Sequence, residues 1–385
     1  MNDYTDALAR VVADVVAPSA VDVDTTGRFP REAIDALAGA GILGLTSAVD
    51  VGGGGQGLRA AADVIERLAG TCGSTGMVVL MHYAAVAILE GHGHADVRGE
   101  IAAGRHLTTL AFSEVGSRSH FWAPTSTATA AEEGPSGGET VRLDAAKSWV
   151  TAGAEVDSYV WSSRPLAADG PMTLWHVPRS TPGVAVAGSF DGVGLRGNGS
   201  VPVKAEGATV PRQAMLGADG AGLDVAMATA LPAFLVLSGA FSLGLMEAVT
   251  ADATAHLGAT RLEHLGRTLA QQEAPRTGLA RLRVRTDTVR AFLGDTLNAL
   301  ETGRADAMLR VLEVKAVAGE AAADVTDGAM RVCGGAAFRK EVGIERRLRD
   351  SLAARVMAPT TEALLDFVGR AISGLALLGD PVAAG

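Results

Sequence analysis

The sequence predicts an α+β chain that is mostly α. An N-terminal helical domain covers residues 1–107, a middle β domain 108–212 and a C-terminal four-helix bundle 213–385. Three observations carry this. Eight of the 14 prolines and all four tryptophans fall between residues 108 and 212, where short β-rich runs alternate with turns. The stretch before is Ala-rich and amphipathic. The stretch from 221 onward is rich in Ala, Leu and Arg, poor in Pro, and repeats its apolar residues at three and four.

In the first region, Asp3 to Ala17, Pro30 to Ala40, Ala60 to Gly70 and Met77 to Glu90 are helix candidates. The second begins with Pro, which is favoured in a first helical turn. In the middle region, strands are expected at Thr140–Asp144, Ser158–Ser162, Thr173–Val177 and Gly183–Ala187. In the last, four long helices fit residues 224–256, 276–301, 304–332 and 348–376. Val225 to Met246 carries no charge and is long enough to span a bilayer. Yet Pro232, Gly239 and Gly244 interrupt it, and Asp224 and Glu247 flank it with no basic anchor. A helix buried inside a large core reads the same way, and that is the expectation.

With 48% hydrophobic and 20% charged residues, the chain has ample material for a core. Its net charge of −10, with no Lys/Arg run, argues against nucleic acid. Cys72 and Cys333 form neither a disulfide framework nor a metal spacing; reduced thiols in the cytoplasm are expected. No basic stretch followed by an apolar one opens the chain, so no signal peptide is expected.

Local motifs exclude several chemistries. Gly52 to Gly57 lacks the Gly-Lys-Ser/Thr of a phosphate loop and reads as a turn. His92 and His94, with Asp96, supply at most part of a metal set, so no metal is expected. Neither a Gly-x-Ser-x-Gly elbow nor a His-Glu-x-x-His pair occurs.

Four stretches matter because they occur together and in order. They are Ala111 to Ser119; Lys147 to Gly153 followed by Asp157; Gly194 to Gly197 running to Pro211; and Cys333-Gly-Gly335, Ile344 to Asp350 and Ala358-Pro-Thr360. On these residues the chain resembles the acyl-CoA dehydrogenase superfamily over nearly its whole length. The resemblance implies FAD, enclosed by helical, β and bundle domains, with part of each site from a neighbouring subunit of a homodimer or homotetramer. Ser113, beside Phe112, would meet the flavin pyrimidine edge, and Ser119 the FAD phosphates. Trp149 and Thr151 would flank the ring near N5. Gly334 and Gly335 would approach the diphosphate, Arg261 a neighbour's pyrophosphate, and Thr360 would end the family's Glu-Gly-Thr motif.

The implied reaction is α,β-dehydrogenation of an acyl thioester, on CoA or a carrier protein, with hydride passing to flavin N5. The electron acceptor would be a flavoprotein or O2. The family's catalytic glutamate falls at Ala358, and the turn at Pro232-Ala-Phe234 also lacks a carboxylate. Glu362, four residues on, is the candidate base if both share a helix face, weighed against an ordinary solvated carboxylate. Two alternatives stay open: a flavin-dependent monooxygenase on the same fold, which needs no Cα base, and a non-catalytic subunit.

Overall fold

Residues 4–117, 120–131 and 139–378 are described by the computed structural model. Its N-terminal helices are α1 (Tyr4–Val11), α2 (Ala17–Thr26), α3 (Arg31–Gly39), α4 (Leu58–Thr71), α5 (Gly73–His92) and α6 (Ala95–Ala102). The helix expected over Asp3–Ala17 does not run straight: residues Val12–Val16 widen into a π turn before α2. Pro18, at the start of α2, explains this. It has no N–H to return and its ring would crowd the carbonyl four residues back.

Two four-stranded sheets make the middle region. One has the order β1 (Thr108–Ala111), β4 (Ser158–Ser163), β5 (Thr173–Pro178), β8 (Met215–Leu216), with β1 and β4 parallel. The other is antiparallel, in the order β2 (Thr127–Ala131), β3 (Thr140–Val150), β7 (Val201–Pro211), β6 (Val184–Val186). β8 pairs with β5, so the sheet runs past residue 212. β3 and β7 lose register between Leu143 and Ala145 and again between Lys147 and Val150. The second irregularity turns the chain at Trp149, whose φ is +56°.

The last region holds α7 (Gly222–Ala228), α8 (Ala230–Ala259), a hairpin of β9 (Arg261–Leu262) and β10 (Arg267–Thr268), α9 (Glu273–Thr302), α10 (Ala307–Cys333), α11 (Ile344–Ser351), α12 (Ala353–Val356) and α13 (Thr361–Ile372). The uncharged stretch forms most of α8, which packs on α4, α5, α9 and α10. Burial among these helices is why it is apolar all round. The helix expected over 348–376 is broken into α11, α12 and α13. Met357 turns extended (φ −67°, ψ 134°), and Pro359 cannot donate to a continuing helix. Thr360 then caps α13, its Oγ1 accepting from the Ala363 N–H at 3.3 Å.

The loop Gly194-Leu195-Arg196-Gly197 ties the three regions together. Leu195 N–H donates to Asp350 Oδ1 of α11 at 2.6 Å, Arg196 Nε to the Asp24 carbonyl of α2 at 2.8 Å, and Gly197 N–H to Ser74 Oγ of α5 at 3.0 Å. Gly194 is needed here, because a Cβ would stand 2.3 Å from the Arg349 carbonyl oxygen. Burial pushes the Asp350 carboxyl up to about 6, against the Leu195 N–H.

Candidate active site

The three regions enclose one cavity of about 920 Å³. The loop after β1 brings Phe112, Ser113 and Phe121 to it. The bulged end of β3 brings Trp149 and Thr151. Leu195, Asn198 and Ser200 come from the loop before β7, Ala230, Leu231 and Phe234 from α8, and Leu352, Ala353 and Val356 to Thr360 from the break between α11 and α13.

The loop and the strand are fixed to each other from behind. Glu114 follows Ser113, and Lys147 precedes Trp149 by two. Lys147 Nζ donates to Glu114 Oε1 at 2.6 Å, to the Ser162 carbonyl at 2.7 Å and to Ser162 Oγ at 2.9 Å. Glu114 also accepts from Thr125 N–H and Oγ1, both at 2.5 Å, from Ser126 N–H at 3.1 Å and from Ser126 Oγ. Burial alone would raise the Glu114 carboxyl. The Lys147 charge and these hydrogen bonds outweigh it and hold the group at about 2. Ser148 N–H donates to the Ser113 carbonyl at 2.9 Å, which sets loop and strand side by side.

Thr151 is buried, its Oγ1 3.1 Å from Ser200 Oγ. Trp149 is the opposite: its side chain is 69% exposed although it lines the cavity, with only an edge contact to Phe190 at 6.4 Å. The Ser113 hydroxyl, the Trp149 indole N–H and the Asn198 amide N–H find no hydrogen-bond partner among the described residues. A bare indole and unused polar groups around an apolar chamber suit a planar heteroaromatic ring with polar edges. By this test the residues fit the isoalloxazine of FAD.

Phe112, Ser113, Trp149, Thr151 and Thr360 therefore converge on one cavity. Ser119 lies outside the described residues. Gly334 and Gly335 sit in the exposed turn after α10, and Arg261 in the exposed β9–β10 hairpin, where it donates to the Gly266 carbonyl at 3.1 Å; none lines the cavity of its own chain.

Glu362 is exposed and does not line the cavity. The helix begins only at Thr361, so Ala358 lies before the cap and the two residues share no helix face. Two described carboxylates do line the chamber. Glu114 is engaged as above, and Asp191 stands 89% exposed, 3.3 Å from Arg196. Sequence reasoning did not single out Asp191, Asn198 or Ser200, although the last two lie in the stretch that runs from Gly194 to Pro211.

The comparisons agree with the architecture. The family model for the acyl-CoA dehydrogenase N-terminal domain matches residues 2–103, and that for the C-terminal domain matches residues 220–373. The chain belongs to the acyl-CoA dehydrogenase superfamily. Members of this family are FAD-dependent flavoproteins. The chain is 24% identical to cyclohex-1-ene-1-carbonyl-CoA dehydrogenase of Geobacter metallireducens, over 95% of this chain and 96% of the relative. It is 25% identical to the mitochondrial short-chain specific acyl-CoA dehydrogenase of Bos taurus, over 90% and 83%. The solved butyryl-CoA dehydrogenase of Megasphaera elsdenii superposes with a TM-score of 0.88 at 22% identity, covering 97% of this chain and 98% of that one. As an acyl-CoA dehydrogenase homologue the chain is an oxidoreductase.

Proposed function

We propose that this cavity carries out α,β-dehydrogenation of an acyl thioester. The observation that carries the reading is the convergence of Phe112, Ser113, Trp149, Thr151 and Thr360, from three separate stretches of sequence, on one chamber. FAD, when bound, supplies the acceptor for the hydride leaving Cβ. Ser113 and Thr151 offer hydroxyls to the ring's polar edges, and Trp149 offers it a flat apolar face. Leu110, Leu231 and Phe234 give the acyl group an apolar wall that excludes water. Gly334, Gly335 and Arg261, exposed and outside the lining of their own cavity, suit contacts to a cofactor held by a second copy, which favours a homodimer or homotetramer. Buried free thiols at Cys72 and Cys333 suit a reducing cytoplasm.

The Cα proton needs an acceptor placed by geometry and tuned by burial. Ala358 cannot serve. Glu114 is pinned by Lys147 at 2.6 Å, and Asp191 is 89% exposed and turned to Arg196 at 3.3 Å, so neither is a buried carboxylate free to face the acyl group. This observation favours a second reading, a flavin-dependent monooxygenase on the same fold, in which no Cα proton is removed.

Anaerobic addition of acyl thioesters to the FAD-loaded chain separates the readings. Bleaching of the flavin band supports dehydrogenation. A bound flavin that no thioester bleaches, but that consumes O2 with product once reduced by an added reductase, supports the monooxygenase. A chain that binds no flavin in either redox state is a non-catalytic subunit.

A further inference from the structure

α10 carries a lysine on its buried face. Lys315 stands between Val314 and Ala316 and is 1% exposed. Its Nζ donates to the carbonyls of Ala354 at 2.8 Å, Met357 at 3.0 Å and Pro359 at 2.8 Å. An ammonium has three N–H bonds, and all three are used. Two acceptors, Ala354 and Met357, are carbonyls left over where α12 stops at Val356, and the third, Pro359, lies in the break just before the cap of α13. A cation is the natural partner for such a helix end. Gly319, one turn along α10, faces the same segment; a Cβ there would make an ordinary contact with Ala354 Cβ at 3.4 Å.

The held segment is a wall of the cavity. Val356, Met357, Ala358, Pro359 and Thr360 line the chamber, whereas Lys315 does not. We propose that Lys315 is a positioning residue: its ammonium sets where the Met357–Thr360 wall stands, and through that wall it fixes cofactor and acyl group without touching either. The inference rests on the flavin and thioester reading of the cavity and assigns the placement of one wall to one buried cation.

Burial lowers the Lys315 ammonium to about 7, against the pull of Glu362 on α13. Around it, Arg355 of α12 is engaged by Glu320 of α10 at 2.9 Å, with Asp324 beyond; among the described residues the one charge that acts on Lys315 is Glu362. A neutral amine keeps two N–H donors and turns a lone pair toward the third carbonyl, so the wall loosens as the pH rises past about 7.

The test is FAD affinity of the full chain, read by flavin fluorescence, with amide exchange of residues 357–363. In Lys315→Met, which keeps the length and removes the charge, we expect affinity to fall about tenfold or more, faster exchange over this segment, and recovery in Lys315→Arg. In the wild-type chain, affinity is expected to fall about threefold or more between pH 6 and 9, with no such slope in the Met variant. A folded Met variant with wild-type affinity and exchange overturns the proposal. If the Met variant does not fold, a flat wild-type pH profile overturns it. Should the wild-type chain bind no FAD, the flavin reading fails by itself, and exchange alone decides whether Lys315 holds the wall.

Discussion

The ammonium of Lys147 and the carboxylate of Glu114 meet at 2.6 Å, with neither side chain more than 1% exposed. The pair links the loop that carries Ser113 to the strand that carries Trp149 and Thr151. Lys147 lies off the cavity while Glu114 reaches its lining, so the spacing of this loop and strand at the chamber is set by a buried charge pair. Lys147 also lies 5.2 Å from the Trp161 ring, which packs under the same strand.

Removing one partner should therefore cost far more than the pair is worth. Lys147→Met leaves the Glu114 carboxylate buried and unpaired, a loss of about 3–5 kcal/mol. Urea denaturation should show this loss. Glu114→Gln in the same chain should restore part of it, because the double variant buries no lone charge. A single variant as stable as wild type would remove the pair from the scaffold.

Trp149 makes the opposite case. Its φ of +56° is uncomfortable for any residue but glycine, and its side chain is 69% exposed. Trp149→Gly should leave the melting temperature unchanged or raise it slightly, since relief of backbone strain is worth about 1 kcal/mol. FAD affinity should drop about tenfold, since the indole face is lost. Equal affinity in the two proteins would mean that the exposed indole serves something else.

The order of helices, strands and helices was legible from the proline, tryptophan and apolar spacing. Ser113, Trp149, Thr151 and Thr360 were singled out by the family resemblance, and only the fold shows that all four line one cavity. Glu362 was reached differently. Its assignment depended on helix phase, and the phase is reset by the break at Met357 and Pro359. Lys315 was invisible for a related reason. A lysine in an Ala-rich helix reads as solvated, and only the folded chain shows three carbonyls from another segment around it. The one available signal was a charge between apolar neighbours on the buried face.

Acid should destabilise the fold through its buried histidines. His82 is buried at 0% exposure; its Nε2 donates to the Leu43 carbonyl at 3.1 Å, and its Nδ1 accepts from Thr108 N–H at 3.2 Å. Burial lowers His82 and His176 to about 4, and lowers His106 as well. The unfolded chain takes up protons near 6.5 while the folded chain resists until about 4, so stability falls as the pH drops through this window. At pH 5 His82 alone should cost about 2 kcal/mol. Asp350, raised to about 6, runs the other way: its burial penalty eases as it protonates. Asp350→Asn should therefore steepen the loss between pH 7 and 5, and urea midpoints in the two buffers measure it. A midpoint independent of pH would contradict the buried neutral histidines.

Glu362→Gln should leave the rate of thioester-driven flavin reduction within about twofold, because a solvated carboxylate outside the cavity contributes no placed base. A loss of a hundredfold, with flavin still bound, would return Glu362 to the chemistry and require the wall to move in the loaded protein.

Ala358→Glu is the complementary experiment. Residue 358 lines the cavity, in the segment that Lys315 holds through the carbonyls of Met357 and Pro359. A carboxylate there would sit against apolar walls, where desolvation raises its pKa toward the range a base needs. A positioned general base contributes about 10²–10⁴-fold. Thioester-driven bleaching of the flavin should therefore accelerate by at least about tenfold if the chamber otherwise orients a thioester for dehydrogenation. No acceleration, in a variant that folds and holds FAD, would mean that the acyl group does not present Cα to this wall. That result would shift the balance to oxygen chemistry, in which an alanine at this position costs nothing.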